Sequence, residues 1–219
     1  MIIILSKYVG MKLVKELINR FRFHIIRCLS LIEIRRGENY CKSAVYITFD
    51  DGPDVGITES VLDLLRNKNI RATFFCCGVN CEKNPKLVDE IYKAGHKLAN
   101  HTYSHINGFR YSTDFYRSDV ERCEQYLDTY IFRPPWGALS FRQYLLLRKK
   151  WRVVYWDVSS GDTSLDFDLT KQLEILKRKT KPGSIVLFHF SNEHAANTLK
   201  ILPLYLDYII SKRFLTRTL

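Results

Sequence analysis

Long apolar runs, paired metal-binding cysteines and low-complexity tracts are all missing from this chain of 219 residues. No uninterrupted apolar stretch approaches the roughly 20 residues that a membrane-spanning helix needs. No stretch near the start joins the length of a signal-peptide core to a small-residue cleavage site, so we expect no export signal. Internal repeats and linkers are also missing, and a chain of this length commonly forms one domain.

The six cysteines show no Cys-x-x-Cys spacing, which argues against a structural zinc site. Cys76 and Cys77 follow Ala-Thr-Phe-Phe, the pattern of a buried strand, where free cysteine behaves as a small apolar residue. A chain this long does not need disulfide bonds for its stability. Together with the missing export signal, these features predict reduced cysteines and a cytoplasmic location.

Negative charge is scarce, since the chain has 34 Lys and Arg against 23 Asp and Glu and a formal net charge of +11. Residues 1–42 contain nine Lys or Arg and three Asp or Glu, so an excess of six positive charges lies in the first fifth of the chain. The remainder is only mildly basic and contains no recognisable nucleic-acid-binding motif. This distribution argues against a nucleic-acid partner and predicts a basic element near the N-terminus.

Residues 11–31 have the pattern of a basic amphipathic helix. Two interpretations stay open: the helix packs against the domain core, or it lies on a membrane and gives a peripheral contact at the inner membrane surface. The apolar positions are Leu13, Val14, Leu17, Ile18, Phe21, Ile25, Ile26 and Leu29, and the basic residues between them are Lys12, Lys15, Arg20, Arg22 and Arg27.

After this helix, strand patterns and helix patterns alternate, which predicts an α/β fold with a parallel sheet covered by helices, either an open sheet or a barrel. Pro85 suits a first helical turn and Gly95 suits a helix end. Strands are predicted at 44–50, 72–77, 96–100, 131–133, 152–157 and 184–189. Helices are predicted at 57–68, 85–94, 113–127, 140–150, 168–180 and 195–212.

Polar side chains gather where the predicted strands end. In a parallel barrel the carboxyl ends of the strands form the active face, so this placement predicts a functional site there. The residues concerned are Asp50 and Asp51 after the first strand, His101 and His105 after the third, Arg133 after the fourth, Asp157 and Asp162 at or after the fifth, and His189 after the sixth.

Two carboxylates and two imidazoles in this set have the composition of a metal site. Asp50 and Asp51 are adjacent, and neighbouring acids repel each other unless a positive group lies beside them. His101 and His105 are four residues apart, which puts both on one face of a helical turn. One carboxylate with two histidines leaves open positions on a metal, and the second carboxylate is then free to act as a base. Taken alone, Asp-Asp-Gly-Pro is also typical of a polar turn and the histidine pair of surface histidines, because the glutamate of a zincin helix is missing.

Five motifs together resemble the polysaccharide deacetylase family, the NodB-homology group also called carbohydrate esterase family 4. They are Thr48-Phe49-Asp50-Asp51-Gly52, the segment His101 to His105, Arg133-Pro134-Pro135-Trp136-Gly137, the Asp162 segment and Ile185-Val186-Leu187-Phe188-His189. The resemblance covers about residues 44–215. It implies a distorted (β/α)7 barrel over residues 44–219, preceded by an N-terminal amphipathic extension at residues 1–43.

The resemblance also implies a divalent metal, zinc in the first place, with cobalt, nickel or manganese as alternatives. The matching positions imply that Asp51, His101 and His105 bind this metal. Asp50 matches the general base of the family. Arg133 matches the residue that positions this base and holds it ionised.

Four further residues match the substrate side of the family's site. Trp136 matches the aromatic residue whose backbone N–H helps hold the oxyanion and whose ring borders the sugar. Leu187 matches a residue of the acetyl pocket. His189 matches the general acid, and Asp162 matches the carboxylate that orients it.

The chain departs from the family at two positions, with Thr163 where a tryptophan is frequent and Phe190 where an aspartate is frequent. The expected function is metal-dependent removal of N-acetyl groups from an amino-sugar polysaccharide, oligosaccharide or lipid-linked glycan intermediate. An O-acetyl ester hydrolase or a formyl-aminosugar deformylase would use the same site. A catalytically silent sugar-binding barrel is the alternative from another class. We expect a monomer.

Overall fold

A computed structural model describes residues 21, 23–32, 34, 35 and 40–219. Strands and helices alternate along the chain, which confirms the predicted α/β class. The strands are β1 Ala44–Asp51, β2 Thr73–Cys76, β3 Lys97–Asn100, β4 Ile131–Phe132, β5 Arg152–Val153, β6 Val158–Ser159, β7 Ile185–His189 and β8 Leu215–Thr216.

The sheet is parallel and curls into an open barrel. Its strand order is β5-β4-β3-β2-β1-β7-β6, and β8 pairs with the beginning of β1. The sheet therefore starts and ends with two strands that are consecutive in the sequence. The prediction of one strand at 152–157 is wrong, because residues 154–157 separate β5 from β6.

The helices cover the sheet, and most begin and end close to the predicted residues. The helix Gly78–Lys83 was not predicted, and the helix predicted at 113–127 ends at Arg122. Pro85 opens the helix Pro85–Lys93, and Gly95 follows that helix with a φ of 78°. Side chains cap other helices, since Ser112 accepts a hydrogen bond from the Phe115 N–H and Asp168 accepts one from the Lys171 N–H. The helices are α1 at residues 21, 23–32, 34 and 35, α2 Ile57–Asn67, α3 Gly78–Lys83, α4 Pro85–Lys93, α5 Thr113–Arg122, α6 Phe141–Leu147, α7 Leu169–Lys179 and α8 Ala195–Ser211.

The core lies between the sheet and its helices, and aromatic rings fill much of it. Phe49 of β1 stacks on Phe74 of β2 with ring centroids 4.9 Å apart. Cys76 and Cys77 are buried and free, as the sequence predicts, and the other four cysteines are free as well. Burial raises the pKa of both thiols well above the ordinary value, so they remain protonated.

Helix α1 packs across the open edge between β5 and β6. Ile26 and Ile34 are completely buried there. Ser30 Oγ donates a hydrogen bond to the Val153 carbonyl at 2.7 Å and accepts one from the Tyr155 N–H at 3.3 Å. The helix thereby binds edge groups of the sheet that have no neighbouring strand on that side. Residues 11–20 of the predicted helix lie outside the described residues, and the boundary at residue 43 stays a prediction.

Asp157 does not lie on the active face, so the prediction that it belongs there is wrong. Its Oδ2 accepts a hydrogen bond from the Ile185 N–H at 3.0 Å, beside the first residue of β7. Its Oδ1 pairs with the guanidinium of Arg35 at 2.7 Å. The reason is the split strand: Asp157 precedes β6 rather than following β5, and it ties α1 to the sheet. Among the described residues, no helix is long and apolar enough to cross a membrane.

Candidate active site

Two adjacent carboxylates occupy the carboxyl end of β1. Asp50 is buried and is the parallel-sheet neighbour of His189 at the end of β7. Asp51 has a φ of 87°, a left-handed conformation that costs energy for a residue other than glycine. Its Oδ1 lies 3.3 Å from His101 Nε2 and 3.1 Å from His105 Nε2. The structure therefore brings both predicted histidines to one predicted carboxylate.

The two histidines reach Asp51 from a loop, so the predicted helical turn is wrong. Residues 101–107 after β3 are not helical. Thr102 and His105 have positive φ values of 64° and 50°. These left-handed positions bend the chain so that both rings point to the same carboxylate.

Buried polar side chains hold this loop in place. Asn100 Oδ1 accepts a hydrogen bond from the Thr102 N–H at 2.8 Å. Asp119 Oδ2 accepts from the Tyr103 N–H at 3.1 Å and the Ser104 N–H at 3.0 Å. Sequence reasoning missed Asp119, although a signal existed. It lies on the core-facing side of α5, a position where a carboxylate needs a structural reason.

The group Asp51, His101 and His105 fits a divalent metal. One ligand atom from each lies within 4.8 Å of the others. His101 Nδ1 lies 2.8 Å from the Arg133 carbonyl oxygen and donates to it, so Nε2 is the ring atom that would bind a metal. Burial by itself raises the pKa of Asp51, but hydrogen bonds with His101 and His105 outweigh it and hold this pKa well below its ordinary value. One carboxylate with two imidazoles suits zinc and other first-row metals.

Asp50 is held by a completely buried arginine. Arg133 Nη1 donates to Asp50 Oδ1 at 2.7 Å and to Thr48 Oγ1 at 2.8 Å. The guanidinium carbon also lies 3.9 Å from the centre of the Phe75 ring. Burial lowers the pKa of Arg133, and the charge of Asp50 opposes that shift. The pair thus fixes the orientation of Asp50, and the guanidinium supplies the positive partner that a buried carboxylate needs.

His189 lies on the strand next to Asp51, beside the three candidate metal ligands, and is paired with Asp162. Its Nδ1 lies 2.9 Å from Asp162 Oδ1. Asp162 Oδ2 accepts from the His189 N–H at 2.8 Å and from Thr198 Oγ1 at 2.9 Å. Burial lowers the pKa of His189, but the hydrogen bond and charge of Asp162 outweigh it and raise the pKa to about 9. The imidazole is therefore protonated at neutral pH and presents Nε2 as a proton donor.

These groups border a cavity of about 540 Å³. Arg133 and Asp162 support the groups that border it and do not line it themselves. Of the two departures from the family, Thr163 lines the cavity, whereas Phe190 is buried in the core against Phe49 and Phe74. The lining consists of Asp50, Asp51, His101, His105, Trp136, Trp156, Ser159, Thr163, Leu187, His189, Glu193 and His194.

Trp136 forms one wall of the cavity. Its side chain is 59% exposed, so it does not serve as core packing. Its ring centroid lies 4.2 Å from that of His105. A positive φ of 53° turns it out of the short 3-10 turn Pro135–Gly137. Four residues of the lining could not be predicted from the sequence: Trp156, Ser159, Glu193 and His194. For Glu193 and His194, the one available indication was that they follow β7, whose carboxyl end lies at the active face.

Comparison with known proteins gives concordant matches. A family model described as polysaccharide deacetylase matches residues 37–150. The chain is 36% identical to a peptidoglycan-N-acetylglucosamine deacetylase of Bacillus cereus over 157 residues, which are 68% of this chain and 57% of that relative. It is 31% identical to a chitooligosaccharide deacetylase of Azorhizobium caulinodans over 156 residues, 68% of this chain and 74% of the relative. The chain thus spans little more than half the length of the first relative.

A solved structure shares the fold. The crystal structure of the Bc1960 peptidoglycan N-acetylglucosamine deacetylase, in complex with 4-naphthalen-1-yl-N-oxidanyl-benzamide, superposes with a TM-score of 0.77 and 31% identity. The match covers 82% of this chain and 87% of that chain. It includes the curled parallel sheet on which the site is built.

Proposed function

Because the chain belongs to the polysaccharide deacetylase family, carbohydrate esterase family 4, we propose that it is a metal-dependent hydrolase that removes N-acetyl groups from an amino-sugar glycan. One observation carries the proposal. Asp51, His101 and His105 converge as a metal-binding group, with Asp50 beside them and His189 on the neighbouring strand.

Asp51, His101 and His105 would hold the metal, with zinc as the first choice. When bound, a divalent cation supplies a Lewis acid that polarises the acetyl carbonyl and acidifies water. An amide carbonyl is a poor electrophile, so the reaction needs this assistance.

Asp50 is the general base of the proposed reaction. It accepts the proton of the attacking water, and Arg133 holds its carboxylate in place through the 2.7 Å hydrogen bond. An oriented base of this kind contributes roughly 10²–10⁴ in rate.

His189 is the general acid. An amine is a poor leaving group until it is protonated, and His189 carries the required proton because Asp162 raises its pKa to about 9. Asp162 also fixes the ring through Nδ1, so that Nε2 is the atom that donates.

The cavity walls receive the acetylated sugar. Leu187 contributes apolar surface for the acetyl methyl group, and the exposed Trp136 ring offers a face for a sugar. The Trp136 backbone N–H is the proposed donor to the oxyanion of the tetrahedral intermediate.

We place the reaction in the cytoplasm, where the chain would act as a monomer. A glycan deacetylase there cannot reach a finished wall polymer. Its substrates would be nucleotide-linked or lipid-linked glycan intermediates. The six free cysteines are compatible with this compartment.

Mass spectrometry of products tests the function. Metal-loaded protein is incubated with matched N-acetylated, O-acetylated and N-formylated glycans. Loss of one acetyl mass from the N-acetylated glycan is the expected result. Loss from the O-acetylated or N-formylated glycan alone would identify the esterase or deformylase instead, and binding without any mass change would identify a silent sugar-binding barrel.

A further inference from the structure

The outer face of α1 carries a stripe of exposed apolar side chains. Phe21, Ile25, Leu29 and Ile32 are 68%, 39%, 38% and 45% exposed. They are spaced by four, four and three residues, so they line one face of the helix. Cys28 is exposed and lies within the same face. These five residues are called the α1 stripe below.

The α1 stripe cannot turn inwards without breaking the packing of the helix. Ile26, Ser30 and Ile34 on the opposite face are completely buried. Arg27 fixes the rotation further, because Nε donates to the Trp156 carbonyl at 2.8 Å. The stripe is therefore held outwards by the same contacts that cover the open edge of the sheet.

Basic residues are frequent in the sequence that precedes the α1 stripe. The sequence before Phe21 contains Lys7, Lys12, Lys15 and Arg20 against a single acidic residue. An apolar stripe with basic flanks is the composition of a helix that lies in the interface of an anionic membrane. A second copy of this chain would bring a net charge of +11 against another +11, which disfavours self-association.

We propose that the α1 stripe docks the protein on an anionic lipid bilayer, with α1 lying in the plane of the interface. Apolar side chains enter the boundary between headgroups and acyl chains, and nearby basic residues add electrostatic attraction to the anionic headgroups. The docking itself does not depend on the proposed reaction.

The docked orientation has a consequence for the active site. Phe23, at the Phe21 end of the helix, packs against Trp156 with ring centroids 6.2 Å apart. Trp156 lines the catalytic cavity. A bilayer that holds the α1 stripe thus lies beside the rim of the cavity, where a lipid-linked glycan would be presented. This consequence rests on the proposed function.

Vesicle sedimentation of the full chain tests the docking. Wild-type protein should pellet with vesicles of mixed phosphatidylglycerol and phosphatidylcholine, and less so at high salt. I25D/L29D should lower the partition coefficient about tenfold or more, since two apolar contacts are replaced by repelled charges. The matched control is L204D/I210D on α8, where the side chains are 42% and 48% exposed. It should bind as the wild type does, and equal loss in both variants, or no binding by the wild type, would overturn the proposal.

A fluorescent label on Cys28 distinguishes an anionic bilayer from other groups that could cover the α1 stripe. In a Cys41→Ser background, a polarity-sensitive dye on Cys28 should shift to the blue only when anionic vesicles are added. A blue-shifted dye without vesicles would mean that the chain's own N-terminal residues cover the stripe. A shift that grows with protein concentration would mean a second copy; either result overturns the proposal. I25D/L29D should keep its deacetylase activity on soluble chitooligosaccharides, so failure of docking is distinguishable from failure of the function.

Discussion

Replacing Asp162 by asparagine should move the alkaline limb of the pH–rate profile towards neutral pH. Asp162 contacts His189 twice, through Nδ1 at 2.9 Å and through the backbone N–H at 2.8 Å. The asparagine side chain keeps the shape but removes the negative charge that stabilises the imidazolium. The general acid then loses its proton at a lower pH.

The size of the expected shift in the alkaline limb follows from the pKa of His189. This pKa is about 9 in the folded protein, against about 6.5 for an unperturbed histidine, and each unit corresponds to about 1.4 kcal/mol. Asp50 and Asp51 contribute to the shift and remain in the variant. We therefore expect the limb to move by roughly one to two pH units, which lowers kcat/KM at pH 8 about two- to tenfold.

The assay measures kcat/KM from pH 6 to 10 by detecting the released amine of a chitooligosaccharide. Thr198→Val is the control, because it removes the 2.9 Å hydrogen bond to Asp162 but keeps the charge; it should shift the limb by less than about half a unit. An alkaline limb that is unchanged in Asp162→Asn would refute the assignment of His189 and Asp162.

The His189–Asp162 pair also makes the free energy of unfolding depend on pH. The folded-state pKa of His189 is raised, so its contribution is fully present below about 6.5 and is lost as the pH rises through about 9. The pKa of Asp162 is lowered despite its burial, so its contribution is present above the ordinary aspartate value and is lost as the pH falls through the lowered one. The melting temperature of the wild type should therefore exceed that of Asp162→Asn most clearly between about pH 4 and 6.5, and a constant difference across pH would contradict the linkage.

Three further variants test the remaining roles. His101→Ala should purify nearly free of metal, whereas His24→Ala, an exposed histidine on α1, should keep it; equal metal content in both would disprove the ligand set. Asp50→Asn should keep the metal, lose roughly 10²–10⁴ in rate and melt at a lower temperature, because Arg133 is left buried without its anion; an unchanged rate would exclude Asp50 as the base. His189→Ala should slow amide substrates more than aryl acetates, whose leaving group departs without a proton, and a uniform loss would make His189 structural.

Most of the order of the elements and the central residues of the site can be predicted from the sequence. Pro85, Gly95 and the apolar runs that end at Phe49 and Phe188 act within a few residues, so local rules read them correctly. The carboxyl ends of parallel strands meet at one face, so the polar residues after these runs could be assigned to one site. The free, buried state of Cys76 and Cys77 followed from the strand that contains them.

Features that depend on contacts between distant parts of the chain could not be predicted in this way. Asp119 on α5 holds the loop that carries His101 and His105, so a left-handed loop replaces the predicted helical turn. Arg27 binds the carbonyls of Trp156 and Asp157, about 130 residues further along the chain, where β5 and β6 are separated. Such hydrogen bonds leave no periodic trace in the sequence, because their partners are brought together only when the sheet curls.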